Sequence, residues 1–124
     1  MAARRRDRGA AAVEFALVVP LLVLLVVGIA ELGRAYHVQS TLSGAAREGV
    51  RIMALQSSPS ATRATVKAYA VGLGLTDGQI AVSPTSCTTG GTATVTITYP
   101  FDFITSFLGA DITITGRGSM RCNG

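Results

Sequence analysis

From Ala10 to Ala30 the chain runs through twenty-one residues with one charge, Glu14. At a rise of about 1.5 Å per residue, such a segment makes a helix of roughly 31 Å, the thickness of a bilayer's hydrocarbon core. No other feature narrows the possible folds as much. A chain of 124 residues has room for one small domain beside such a helix. Its balance of 48% apolar to 15% charged residues fits an anchored chain. The absence of tryptophan argues against a large aromatic-lined pocket.

Charge placement gives the segment a direction. Arg4, Arg5, Arg6 and Arg8 stand just before it, so residues 1–9 carry four Arg against one Asp, a net +3. Residues 32–124 also carry a net +3, seven basic against four acidic side chains, over a far greater length, and Glu14 and Glu31 bring the whole chain to +4. Basic residues flanking an apolar helix stay on the cytoplasmic side. The expected topology is therefore N-terminus in and C-terminal domain out. A nucleic-acid surface needs basic residues interleaved with aromatics on a folded face, and none is evident.

The lone acid is costly at mid-bilayer, about 2.5–3.5 kcal/mol on insertion scales, and less near an end. Glu14 lies near the cytoplasmic end. It reads either as an interfacial acid paired with a nearby arginine or as a group awaiting a positive partner inside the membrane. Pro20 removes one helical hydrogen bond and predicts a kink or loosening near residues 16–20. Gly28 and Gly33 give a thin surface where a second helix can approach.

Helical periodicity continues beyond the apolar run. Ala35, Val38, Leu42, Ala45, Gly49 and Ile52 form a narrow apolar stripe, and Glu48 with Arg51 is a candidate i,i+3 pair. One helix from about residue 10 to 55 is expected. Its stripe serves either core packing or contact with neighbouring subunits. The run 56–60 breaks it, with Ser58 or Ser60 as the cap of a second helix over 61–73. That helix turns Val66, Tyr69, Ala70 and Leu73 to one face.

The last third changes period. Ile80 and Val82 begin a strand that Pro84 curtails. Residues 92–99 alternate, with Ala93, Val95, Ile97 and Tyr99 on one side and threonines on the other. Ile112, Ile114, Met120 and Cys122 share one parity, predicting a third strand over 111–122 with Gly116 and Gly118 loosening its middle. Two helices followed by three strands give an α+β domain, a small antiparallel sheet on the long helix. The chain thus divides into a basic leader 1–9, a membrane-spanning part 10–30 and an extracytoplasmic α+β domain 31–124.

Phe101, Phe103 and Phe107 gather between the last two strands. One or two helical turns there form either a lid on the core or a greasy contact with a partner or the membrane. Cys87 and Cys122 both fall in the outer domain, where a disulfide is expected. Two thiols and one distant histidine do not make a metal site.

The residues also carry a family resemblance. The segment from Arg8 to Pro20, RGAAAVEFALVVP, is similar to the leader of type IV pilin-like proteins and most closely resembles the TadE family of the tight-adherence (Tad) pilus system. Segments 31–36 and 45–51, the closing strand pair and a corner at Tyr99-Pro100-Phe101 match the same family. The chain is longer than the major pilins of that system, so the resemblance implies a minor pilin or pseudopilin with a role in adhesion. It implies cleavage after Gly9 by a prepilin peptidase, leaving Ala10 as the first mature residue, Glu14 as the fifth and Phe15 as the sixth. It implies that Glu14 aligns the subunit against other pilin or pseudopilin subunits in the inner membrane.

Three other readings compete. An unprocessed single-pass assembly factor would use its outer domain to bind a partner. A secreted protein cut at Gly28-Ile29-Ala30 fits poorly, because the helix continues through that site. An enzyme is not expected: His37 is the only histidine, and no nucleophile elbow, phosphate loop or metal cluster appears. No cofactor and no small-molecule substrate are implied.

Overall fold

The computed structural model describes residues 2–103 and 111–122, with side chains from Arg6 onward. The element order is α1 (Ala2–Gln56), α2 (Pro59–Tyr69), β1 (Ile80–Ser83), β2 (Thr92–Phe101) and β3 (Ile112–Arg121). Single 3-10 turns lie at Val71–Leu73 and Asp77–Gln79. The chain divides into two units, Met1–Arg34 and Ala35–Gly124. The α+β class read from the sequence is the one observed.

The first unit is helical throughout its described residues, as its Ala, Leu and Val content favours in an apolar medium. Its side chains from Arg6 to Ala30 are exposed, except for half-buried Val19 and Val27. Pro20 sits inside the helix, which runs on through it with the hydrogen bond to the Ala16 carbonyl forgone. Near the end of this unit Glu31 is buried, and its carboxylate meets the Arg34 guanidinium at 3.6 Å.

The second unit is built on the C-terminal part of α1. Val38, Leu42, Ala45, Ala46, Val50, Met53 and Ala54 are all buried there. The buried band is wider than the expected stripe, because two layers press on it. One is α2, whose Val66 and Thr62 lie against Gly49. The other is β3, whose Gly116 and Gly118 lie against the backbone of Leu42 and Ala46. Ile52, placed on the stripe by its spacing, is only half-buried. Glu48 and Arg51 are both exposed and do not pair among the described residues.

Ser58 caps α2, its hydroxyl accepting from the Ala61 N–H at 3.2 Å, and Pro59 occupies the first turn. The helix starts and stops earlier than its periodicity suggests. It ends at Tyr69, which is half exposed, while Leu73 belongs to the following 3-10 turn. Gly74 closes that turn in the left-handed region at φ 59°.

The sheet is antiparallel in the order β1-β2-β3. In β2 the alternation holds: Ala93, Val95 and Ile97 are buried. Two expectations for the sheet need correction. Tyr99-Pro100-Phe101 is not a corner, since β2 runs through it with Pro100 opposite Thr113. In β3, Ile112 and Met120 are 43% and 41% exposed, while the inward positions between Ile114 and Cys122 are Gly116 and Gly118. The glycines do not loosen the strand; they let α1 lie directly on it. A methyl group on Gly116 would stand 2.6 Å from the Leu42 carbonyl carbon, and one on Gly118 2.7 Å from the Ala46 oxygen.

Candidate functional site

The expected processing site lies on the exposed part of α1. Gly9, Ala10, Glu14 and Phe15 are all helical and exposed, and nothing stands within 4 Å of where a Gly9 side chain would be. Ala10 and Glu14 are four residues apart, so they share one face of the helix, about 6 Å apart along its axis. Phe15 is 71% exposed on the adjacent face. Glu14 makes no ion pair with a described residue. The side chains beyond it are unusual for a water-facing surface: Leu17, Leu21, Leu22, Leu24, Leu25 and Ile29 are each between 52% and 72% exposed. An 18-residue window of this helix has a mean hydropathy of 2.8 and none of it is buried. A helix apolar on every side and buried on none has the pattern of a membrane span or of a helix covered by other chains.

The two cysteines are joined. The Cys87–Cys122 disulfide ties the loop after β1 to the end of β3, with 5.7 Å between the Cα atoms. Backbone bonds hold the same corner, from the Cys122 N–H to the Gly91 carbonyl at 2.9 Å and from the Cys87 N–H to the Ser57 hydroxyl at 2.7 Å. Ser57 adopts φ 50° to turn out of α1, which places that hydroxyl.

The three phenylalanines offered as a partner or membrane contact separate. Phe101 is 1% exposed, inside the core, and reaches no partner without opening it. Phe103 is half-buried and meets Phe101 edge-to-face at 5.3 Å between ring centres. Phe107 lies outside the described residues, as do the helical turns expected around it.

Among the described residues no group of three His, Cys, Asp or Glu side chains is placed to hold a metal. His37 is exposed on α1, its carbonyl accepting from the Thr41 hydroxyl. Asp77, on the turn after α2, has a carboxyl moved from its ordinary range by a neighbour. The Lys67 ammonium donates to the Asp77 carboxylate, and that bond, helped by its charge, holds the carboxyl below its usual range.

The family comparison falls on the helix that carries the site. Residues 9–51 match the model of the TadE-like protein family. The chain carries a TadE-like segment. It begins at Gly9, spans the bare apolar stretch and ends on the part of α1 that the sheet covers. The family is the one the residues resemble. No curated protein and no solved structure matches the chain.

Proposed function

We propose that this chain is a minor pilin or pseudopilin-like component of a Tad-type pilus assembly system, processed by a prepilin peptidase between Gly9 and Ala10 and assembling through its N-terminal helix. The observation that carries the reading is the apolar helix, bare from Ala10 to Ala30, with its single acid at Glu14. Residues 1–9 are then a cytoplasmic leader, 10–30 the membrane-embedded part and 31–124 an extracytoplasmic domain. The four leading arginines favour that orientation.

Cleavage would leave a charged amine on Ala10 at the head of the helix. An unpaired buried carboxylate is costly, whereas one paired with a neighbouring subunit's amine is tolerated. The same pairing sets register, because sliding one helix along another leaves both charges uncompensated. Gly9 itself weakens the helix by about 1 kcal/mol relative to alanine, which eases the unwinding that a peptidase requires at the bond it cuts. The protein does no chemistry of its own in this account. It is the peptidase's substrate and then a packing unit.

The test replaces Glu14 with alanine or glutamine in cells that carry the assembly machinery. Both variants should insert in the membrane and be cleaved, yet be missing from sheared surface fibres. Glu14→Ala present in fibres at the wild-type level would remove the carboxylate from docking, whereas a wild-type chain that stays uncut and absent from fibres would favour an unprocessed assembly factor.

A further inference from the structure

A groove of about 400 Å³ lies within the second unit, between α1 and α2. Tyr36, Ser40, Ser43, Gly44 and Arg47 of α1 line it, together with Tyr69 of α2. Gly44 keeps the Tyr69 ring in place, since any side chain there would stand 2.4 Å from the Tyr69 hydroxyl. The tyrosines are 76% and 52% exposed, far more than packing requires. Arg47 makes no ion pair among the described residues. Gln39 on the rim is already used, donating to the Thr115 carbonyl of β3 at 2.9 Å.

The lining selects a ligand by exclusion. A purely apolar ligand would desolvate two serines and a guanidinium without replacing their hydrogen bonds. A metal ion finds no carboxylate, imidazole or thiol among the lining residues. A nucleic acid needs more than one cation along its backbone. The two hydroxyls, the ring faces and the guanidinium together suit a hydroxyl-rich molecule that bears a carboxylate. Serine hydroxyls both donate and accept, as sugar hydroxyls do. The electron-rich ring faces of tyrosine suit the C–H face of a pyranose. Tyr36 and Arg47 are eleven residues apart on α1, about 16 Å of helix, a separation that a ligand of two rings bridges more readily than one of a single ring.

We propose that this groove binds an acidic disaccharide unit, with a uronic acid carboxylate on Arg47, hydroxyls on Ser40 and Ser43, and the second ring against Tyr36. The site does not depend on cleavage or on fibre entry.

The experiment titrates the full chain in phosphocholine micelles, free of sugar detergents, with digalacturonic acid, cellobiose and acetate, following tyrosine and arginine side-chain NMR signals. Digalacturonic acid should saturate with Kd of about 0.1–1 mM, in the range of small ligands on open sites. Cellobiose and acetate should each bind about tenfold or more weakly, the carboxylate–guanidinium bond being the strong contact. Arg47→Gln should bring digalacturonic acid down to the cellobiose level and leave cellobiose unchanged. Tyr36→Ala should weaken both sugars. Both side chains are exposed, so an unchanged far-UV spectrum is expected and checks the fold. No saturable binding of digalacturonic acid, acetate binding as tightly as the sugar acid, or an Arg47→Gln protein that binds like wild type would each overturn the proposal.

Discussion

Gly116 illustrates how much one hydrogen atom can hold at the residue scale. Its missing side chain lets the Leu42 backbone lie on β3, and no flexible group is available to give way. Gly116→Ala should therefore destabilise the folded protein by about 1–3 kcal/mol or more, read as a lower urea midpoint. Gly72→Ala, where nothing stands within 4 Å, should be close to neutral in the same assay. Equal effects at both positions would contradict the close-packing account. The sequence contains the clue in part. Gly116 and Gly118 share parity with Ile114 and Cys122, so the pattern puts them on the inward side of the strand. A strand glycine is written the same way whether it weakens a strand or admits a backbone, and only the opposing helix distinguishes the two. Asp77 gives a second test at this scale. Its carboxyl is held low by Lys67, so the unfolded chain binds the proton more readily than the folded one. The contribution of the pair is complete above the ordinary carboxylate pKa and fades as pH falls through the lowered one. Asp77→Asn should flatten that part of a stability–pH profile, and a profile unchanged by the substitution would contradict it.

At the scale of elements, the strands show which patterns are legible. The alternation of β2 reveals the strand but not its end, because a proline normally closes a strand. The Cys122 N–H bonds to Gly91, and Gln39 reaches the Thr115 carbonyl from outside the sheet. Carried along the register, that parity turns the nitrogen of Pro100 toward the β1 side of the sheet. There β1 pairs no further than Ile97, so no hydrogen bond is forfeited. The α1 stripe is legible in period and not in width, since a helix covered by both a sheet and a second helix buries more than one narrow face. The disulfide is legible from compartment alone, while its geometry requires the fold. Closing a loop over 35 residues, it should contribute roughly 3–4 kcal/mol by the chain-entropy model. Cys87→Ser with Cys122→Ser should lower the urea midpoint accordingly. A midpoint unmoved by the double substitution would show that the hydrogen bonds around Gly91 suffice to hold that corner.

At the scale of the whole molecule, the two units are legible to different degrees. The leader, the lone Glu14 and the apolar run are contiguous in sequence, so the candidate processing site can be read directly. The groove between Tyr36 and Tyr69 cannot. On α1 its residues read as the ordinary polar side of an amphipathic helix, and only the fold of α2 brings the second ring beside them. For the first unit the proposed function requires that the chain be made with a leader and work without it. The most direct measurement is the intact mass of the protein extracted, unreduced, from its native membrane, beside a Gly9→Arg variant. The account predicts a wild-type mass lacking residues 1–9, with Ala10 as the new N-terminus, and an uncut variant. An intact N-terminus in the wild type, with the peptidase present and active on its other substrates, would contradict it.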